Sequence, residues 1–241
     1  MTSKAHALAC AAALLAACGA PGTRQTHEGG ALAPVPTASP AGAAAYRIDS
    51  ARSELRVLVY RAGPMARLGH NHVIVNRALS GWVDAAGTAA AQALSLQVPV
   101  AEFIVDDPQA REAEGTDFSQ DVTDDARAGT RRNMLSAALL DADRFPAITL
   151  RSVAVTPAAQ VPGADGHART WVATLAVQVA GHASKLTVPF TLESAADSMS
   201  ASGTVVLRQS DLGLIPISVM LGALQVQDEL TVEFKLVATK S

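Results

Sequence analysis

The sequence has few aromatic side chains and almost no cysteine. Aromatic residues make up 4% of the 241 residues, and the two cysteines, Cys10 and Cys18, both lie near the N-terminus. A domain that begins after Cys18 has no thiol, which excludes disulfides and cysteine metal sites. With so few aromatic rings, Val, Leu and Ala must form most of the core. A closed sheet filled by such small residues would be underfilled, which favours an internal cavity.

Charge and catalytic signals are also sparse. The net charge is −3 and the chain has no dense run of Lys or Arg, which argues against nucleic acid as a partner. No G-x-S-x-G phrase follows a predicted strand and opens a helix, and no other pattern specifies a nucleophile. We therefore expect a binding protein and not an enzyme.

The first residues carry an apolar stretch that is too short to cross a membrane. Lys4 precedes 13 residues from Ala5 to Ala17, which suit a secretory signal, since a spanning helix needs ~20 residues. The stretch ends in Leu15-Ala16-Ala17-Cys18-Gly19, which resembles a bacterial lipobox. We predict a lipoprotein signal peptide over residues 1–17 and lipidation of Cys18, with ordinary cleavage and an incidental Cys18 as the alternative. Gly19, in place of Asp, favours the outer membrane, so the expected location is the periplasm.

The next segment has the composition of a linker. Residues 18–45 are rich in Ala, Gly, Pro and Thr and contain almost no large apolar side chain. Such a segment cannot bury enough surface to fold, and we predict a flexible tether. Residues 46–241 then suit one all-β domain, because sandwiches and barrels of this size commonly form a single unit.

The end of the chain carries the clearest strand pattern. Apolar residues lie two or four apart from Val226 to Leu236, with polar Thr231, Glu233 and Lys235 between them. This alternation places apolar side chains on one face of a sheet. Similar patterns elsewhere raise the count to at least eight strands. Residues 106–144 do not alternate in this way, and we predict a helix over 125–140, capped by Asp124 or Asp125. The pattern predicts an antiparallel, up-and-down, lipocalin-like β-barrel of about eight strands with a helical insertion, whose interior can hold an apolar ligand.

Several phrases of the domain match one known family. The domain opens with Tyr46-Arg47-Ile48-Asp49, close to Y-x-I-D, and Phe145-Pro146-Ala147-Ile148 matches F-P-x-I. Its last third contains D-x-G-[IL]-x-P at Asp211, Gly213, Leu214 and Pro216. With one extra residue after the glycine, it also contains the positions of G-x-x-V-x-D-x-[VL]-x-[VIL]: Gly222, Val226, Asp228, Leu230 and Val232. In this order the phrases resemble the YceI-like family, which is named for binding polyisoprenoid lipids. The sequence departs from it at Gly69-His70-Asn71-His72, where many members carry G-x-F.

The resemblance implies an isoprenoid ligand, polyprenyl or quinone-like, held in the barrel with no other cofactor. The expected partners are this lipid and the membrane reached through the N-terminal anchor; a homodimer stays open. Dispersion and apolar burial would hold the chain at ~0.8 kcal/mol per methylene. The larger side chains that could line the cavity, or merely fill a packed core, are Trp82, Phe103, Phe118, Met134, Phe145, Phe190 and Met220.

The two histidines of His70-Asn71-His72 allow three interpretations. Residues at i and i+2 of a strand project to one face, as some metal sites require. The pair could ligate a metal or haem, with His182, His167 or Asp84 as a third ligand. It could instead anchor a quinone-like headgroup, or serve only the local turn. The acidic residues Asp106, Asp107, Glu112 and Glu114 could form a carboxylate pair or a cation site, but charged runs in long loops are usually solvated, and this is the expectation here.

Overall fold

The computed structural model describes residues 45–84, 93–158 and 169–240, which form twelve β-strands and two α-helices. Within these ranges no helix is long and apolar enough to cross a membrane. The helices are α1 (Pro108–Ala113) and α2 (Asp124–Leu135). The strands are β1 (Ala45–Ile48), β2 (Glu54–Ala62), β3 (His72–Asn76), β4 (Ser80–Asp84), β5 (Ala93–Pro99), β6 (Ile104–Val105), β7 (Ala147–Pro157), β8 (Arg169–Val179), β9 (His182–Ser194), β10 (Ser198–Arg208), β11 (Ser218–Val219) and β12 (Leu224–Lys240).

Eight of these strands close into an antiparallel barrel. Their order around the wall is β1-β4-β5-β7-β8-β9-β10-β12, and β12 returns to pair with β1, with Tyr46 opposite Lys240. Sequential neighbours are joined in up-and-down fashion from β7 to β10. The prediction of an all-β, lipocalin-like barrel of eight strands with a helical insertion is confirmed.

Three further strands, β2, β3 and β6, lengthen the wall at one end. The 17-residue β12 pairs with β1 near its C-terminus and with β2 near its N-terminus, where Gln225 lies opposite Ala62. β3 pairs with β2, and β6 pairs with β3. In this way β2, β3 and β6 continue the wall strands β1, β4 and β5, respectively. We call this end of the barrel, formed by residues 63–71, residues 209–223 and helix α2, the mouth. It lies opposite the end where the described chain begins.

The strand alternation separates two apolar clusters. On β2 and β3, Val57 and Ile74 belong to the large cluster inside the barrel, whereas Leu58, Val73 and Val75 face outward and are buried. The insertion between β6 and β7 covers this outward face through Ala110 and Phe118. Phe118 lies with its ring centroid 5.6 Å from that of Tyr60. The insertion is therefore a second core, packed on the outside of the wall.

The helices start at side-chain caps. The hydroxyl of Thr123 accepts the N–H of Ala126 at 3.2 Å and begins α2, so the predicted cap at Asp124 or Asp125 is wrong. α2 ends at Leu135, five residues earlier than predicted, because Ser136 turns the backbone to an extended conformation. α1, which the sequence analysis missed, begins after Asp107, whose carboxylate accepts the N–H of Ala110 at 3.0 Å.

The loop after β10 depends on Asp228, one of the family positions. Its carboxylate accepts both the N–H and the hydroxyl of Ser210, at 2.8 and 2.6 Å. These bonds lower the pKa of Asp228 below its usual range. In the same loop Gly213 has φ +77°, and a Cβ there would lie 2.6 Å from the Cγ of His182. A side chain at 213 would thus displace His182 as well as strain the backbone.

A candidate ligand-binding cavity

The interior of the barrel contains a cavity of about 540 Å³. This size lies within the range of small-molecule sites, ~300–1,000 Å³. Its wall consists mostly of inward aliphatic side chains from all parts of the sheet, for example Val57, Val98, Leu175, Val188 and Leu236. The cavity reaches the surface at the mouth, because Leu68 and Val219 both line it and are exposed. The arrangement can bury an apolar chain along the barrel.

Polar side chains border the cavity almost only at the mouth. One exception is Ser152, whose hydroxyl accepts the backbone N–H of Leu94 at 2.8 Å. The other polar residues on the lining are Tyr60, Arg61, His70, His72, Thr130, Asn133, Gln209 and Gln225. A ligand with an apolar chain and a polar end would therefore match the cavity in one orientation.

His72 is held at the mouth by a buried carboxylate. Its Nδ1 lies 2.7 Å from Oδ2 of Asp106, whose side chain is completely buried. The backbone N–H of Val73, the residue after His72, donates to Oδ1 of Asp106 at 3.0 Å. Asp106 thus fixes both the ring of His72 and the start of β3. Its own φ of +55° is an uncommon conformation for a residue with a side chain.

Arg111 of α1 completes this buried cluster. Its Nη1 donates to Oδ1 of Asp106 at 2.5 Å and to the carbonyl of Asn71 at 2.9 Å. Its Nη2 donates to the carbonyls of Phe118 and Gln120 at 2.6 and 2.7 Å. The charge of Arg111 is thus paired, and its terminal nitrogens are bonded. The cluster ties the His70–His72 segment to the insertion.

The cluster sets the charge of the carboxyl group. Burial acts to raise the pKa of Asp106, but hydrogen bonding and charge from His72, the N–H of Val73 and Arg111 outweigh it, so the pKa lies below its ordinary value. Asp106 is therefore a carboxylate at neutral pH, and Nδ1 of His72 carries the proton that it donates.

His70 lies on the cavity wall with a different environment. Burial lowers the pKa of His70, and electrostatic interactions with His72 and Arg111 act in the same direction. The ring of His70 is therefore neutral at neutral pH, and it can accept or donate one hydrogen bond.

The other nitrogen of His72 faces a hydroxyl group of α2. Its Nε2 lies 3.4 Å from the hydroxyl of Thr130 on α2, and both residues line the cavity. Because Asp106 holds Nδ1, the ring is oriented with Nε2 toward this hydroxyl. Together they form a pair of hydrogen-bonding groups next to an otherwise apolar space. Such a pair can bind a hydroxyl or carbonyl at the end of a hydrophobic molecule.

The histidines that the structure describes do not assemble into a metal centre. The described part of the chain contains no group of three or more His, Cys, Asp or Glu side chains that could hold a metal. The ring centroids of His70 and His72 are 6.2 Å apart. His182 is exposed at the start of β9, and Asp84 ends β4 away from the mouth. His167 lies outside the described residues.

Five of the nine predicted site residues line the cavity: Phe103, Met134, Phe190, His70 and His72. The first three come from the segment before β6, from α2 and from β9. The expectation that the pair His70 and His72 shares one strand face is wrong, because β3 begins only at His72.

The other four residues lie elsewhere, so their expected place on the cavity wall is corrected. Trp82 occupies the position before Val83, which lines the cavity, and therefore faces the other side of β4. Phe118 belongs to the outer cluster. Phe145 packs on Gly181, with the guanidinium of Arg144 5.1 Å from its ring centre. Met220 is 62% exposed on the surface of the mouth.

Sequence reasoning missed Asp106, Arg111 and Thr130. The expectation that the acidic stretch is solvated is wrong for Asp106, because this residue follows β6 and turns inward under α1. It is also wrong for Glu114, whose largely buried carboxylate pairs with Arg56. The one available signal was Asp107-Pro108, a cap followed by a proline in the first turn, which indicates a helix start. Nothing in the pattern distinguishes Asp106 from its neighbour.

Comparison with known proteins agrees with this fold. A crystal structure of BcnA from Burkholderia cenocepacia is similar, with a TM-score of 0.53 and 19% identity over 80% of this chain and 99% of that one. A polyisoprenoid binding domain from Saccharophagus degradans, implicated in plant cell wall breakdown, has a TM-score of 0.53 and 12% identity over 83% of this chain and 99% of that one. At such low identity these likenesses show the fold alone.

Sequence comparison assigns the family. No curated protein sequence matches the chain. The family model for the YceI-like domain matches residues 46–238, a span that runs from the second residue of β1 to Ala238 near the end of β12. The chain belongs to the YceI-like domain family.

Proposed function

We propose that this protein is a lipid-anchored periplasmic carrier that holds an isoprenoid lipid, polyprenyl or quinone-like, inside the barrel. The observation that carries the proposal is the cavity of about 540 Å³, whose wall is aliphatic and whose polar groups, apart from Ser152, lie at the mouth. The printed name of the Saccharophagus degradans domain, which states polyisoprenoid binding, supports the same ligand class.

The apolar wall suits a ligand without strong polar contacts along its length. Each methylene transferred from water contributes ~0.8 kcal/mol, so a chain of several isoprene units binds through burial alone. The lining residues Val57, Leu175 and Val188 offer no directional contact. The cavity is therefore expected to select ligands by the length and apolarity of their hydrocarbon chain, and to discriminate little by its branching.

The headgroup would bind at the mouth. Nε2 of His72 and the hydroxyl of Thr130, 3.4 Å apart, would contact a terminal hydroxyl or carbonyl, and His70 lies beside them on the wall. A single hydrogen bond contributes ~0.5–1.5 kcal/mol, which orients the ligand but does not dominate its affinity. The buried Asp106 and Arg111 position His72 and do not themselves line the cavity.

The proposed location depends on the N-terminus. Leu15-Ala16-Ala17-Cys18 carries the lipobox pattern, and acylation of Cys18 would keep the carrier near the membrane that contains its ligand. Labelling cells with a radioactive fatty acid tests this part separately. The label is expected on the wild-type protein and absent from the Cys18→Ser variant.

Native mass spectrometry of the soluble domain from Tyr46 onward, purified gently from a bacterial periplasm, tests the ligand. We expect an apolar adduct bound one to one, with an isoprenoid fragmentation pattern after solvent extraction. Metal analysis of the same sample addresses the alternative of a metal- or haem-binding accessory protein. A protein mass without a lipid adduct but with a metal or haem would contradict the carrier, provided that the metal or haem is lost when His70 and His72 are both changed to Ala. That result would support the alternative.

A further inference from the structure

The mouth carries an unusual group of exposed apolar side chains. Among the residues that the structure describes, eight large apolar side chains are exposed, and five of them lie here. We call these five the rim patch: Leu68, Ile215, Val219, Met220 and Leu221. Ile215 is 79% exposed and Leu221 is fully exposed. A concentration at one end, instead of scatter over the surface, indicates an interaction site.

The two loops of the rim patch form one surface. The N–H of Met65 donates to the carbonyl of Ala223 at 2.8 Å, which joins the loop containing Leu68 to the other. β11 pairs with the start of β12, so Met220 and Leu221 form the tip of a short hairpin. Because Leu68 and Val219 also line the cavity, the rim patch is continuous with the interior.

The hairpin tip holds its side chains outward at a cost. Met220 and Leu221 have φ of +53° and +56°, in the left-handed region. This conformation costs ~1–2 kcal/mol for each residue that has a Cβ. Because Leu221 is fully exposed, packing within the molecule does not offset this cost. Such strain is typical of functional segments.

Charge distinguishes the kind of partner. Residues 62–71 contain Arg67 and His70 but no carboxylate, and residues 212–227 contain no ionisable side chain. An apolar tip next to a cation matches the interface of a bilayer with anionic lipids. A second protein would need a broad complementary face, about 20–30 residues on each side, whereas the rim patch has five side chains on two protruding loops.

We infer that the rim patch docks on the surface of a lipid bilayer, with Met220 and Leu221 inserted among the acyl chains. The ligand would then pass between bilayer and cavity along Leu68 and Val219 without crossing water. This purpose rests on the proposed function, but docking itself can be measured without any ligand.

Lipid anchoring at Cys18 is compatible with this orientation. The described chain begins at the end of the barrel opposite the mouth, where Tyr46 pairs with Lys240. The 17 residues of β12 span at most about 56 Å. A chain of the length of residues 19–44 spans at most about 90 Å when extended. An anchor at Cys18 therefore permits the mouth to reach the same membrane.

Flotation with vesicles of phosphatidylethanolamine and phosphatidylglycerol (three to one) tests the inference. The chain from Gly19 to Ser241 is used, because it retains every residue of the family domain but not Cys18. The wild type is expected to float with the vesicles. The variant M220S/L221S should partition at least about tenfold more weakly, because the inserted apolar surface is lost.

A matched control removes two exposed apolar side chains from the outer wall. Val153 and Val206 are 57% and 61% exposed on β7 and β10, and V153S/V206S should bind vesicles within about twofold of the wild type. Ile215→Ser gives an independent test should the hairpin variant fail to fold.

Two flotation results would overturn the inference: no flotation of the wild type, or an equal loss of vesicle binding in both double variants. A wild-type dimer that becomes monomeric in M220S/L221S would also overturn it, because the rim patch would then bind a second copy of the chain. Flotation that depends on the rim patch in a protein without isoprenoid would support docking while the proposed ligand fails.

Discussion

The barrel interior and the mouth are built on opposite principles. The interior is a continuous aliphatic surface, to which strands from β1 to β12 contribute similar side chains such as Val98, Leu175 and Leu236. The mouth depends on particular groups, with Asp106, Arg111 and His72 linked by bonds of 2.5 to 2.7 Å. The comparison teaches that capacity for a ligand is distributed over many residues, whereas its orientation depends on few.

The largest expected effect concerns the buried cluster at the mouth. Asp106→Asn keeps the shape and suits the φ of +55°, but it leaves the charge of Arg111 without its carboxylate. Removing one partner of a buried pair typically costs ~3–5 kcal/mol. Urea unfolding at pH 7 should therefore show a loss near that range. A loss below ~1 kcal/mol would show that the mouth is as tolerant as the wall.

The pH dependence of the same pair sharpens this test. The folded pKa of Asp106 is depressed, so its stabilisation is complete above the pKa of an unfolded Asp, ~3.9, and is lost as the pH falls through the folded value. The difference in unfolding free energy between wild type and Asp106→Asn should shrink as the pH falls below about 4. A difference that grows below that pH would contradict the depressed pKa of Asp106.

The next effect compares the two apolar clusters. Phe118→Ala removes a ring packed on all sides in the outer cluster and should cost ~3–5 kcal/mol of unfolding free energy. Phe190 borders the cavity, where its ring already lacks partner atoms on one side. Phe190→Ala should therefore cost about half as much. Equal losses in urea unfolding would indicate that the interior is packed as tightly as the outer cluster.

Filling the interior should abolish binding without loss of the fold. Ala173 lies on β8 and lines the cavity, so Ala173→Trp places an indole where the ligand chain would lie. Retention of an isoprenoid alcohol, measured by titration, should fall at least about a hundredfold, because displaced chain units lose ~0.8 kcal/mol per methylene. The matched control is Ala154→Trp on β7, which is exposed and outside the lining. Equal binding by both variants would place the ligand elsewhere.

The smallest effect concerns the headgroup. Thr130→Val keeps the size of the side chain but removes the hydroxyl 3.4 Å from Nε2 of His72. Binding of an isoprenoid alcohol should weaken by about three- to tenfold, as one hydrogen bond predicts. Binding of the matching hydrocarbon should not change. If both ligands weaken equally, the hydroxyl supports packing and does not orient the ligand.

The sequence predicts the wall well and the mouth poorly, for physical reasons. Strand alternation from Val226 to Leu236 depends on local spacing, so the barrel follows from periodicity and strand count. The aromatic residues of the lining could not be assigned in this way, because Trp82 faces the other side of β4 and Phe118 belongs to the insertion that packs on the outside of the wall.

The mouth is less accessible to sequence reasoning because its contacts are long-range. Asp106 meets a histidine 34 residues earlier, and Thr130 meets the same ring from 58 residues away. Such pairs leave no periodic signal. The Gly69–His72 phrase indicated where the polar groups lie, but the environment of His72 could be described only from the position of Asp106 in the structure.

A crystal structure of the protein with its co-purified lipid tests the account most directly. We predict continuous density for an apolar chain inside the barrel, in contact with Ala173 and Val188. The polar end should lie within hydrogen-bonding distance, ~2.7–3.2 Å, of Nε2 of His72 or the hydroxyl of Thr130. A bound lipid that lies on the outside of the wall, with the interior filled by side chains, would contradict the account.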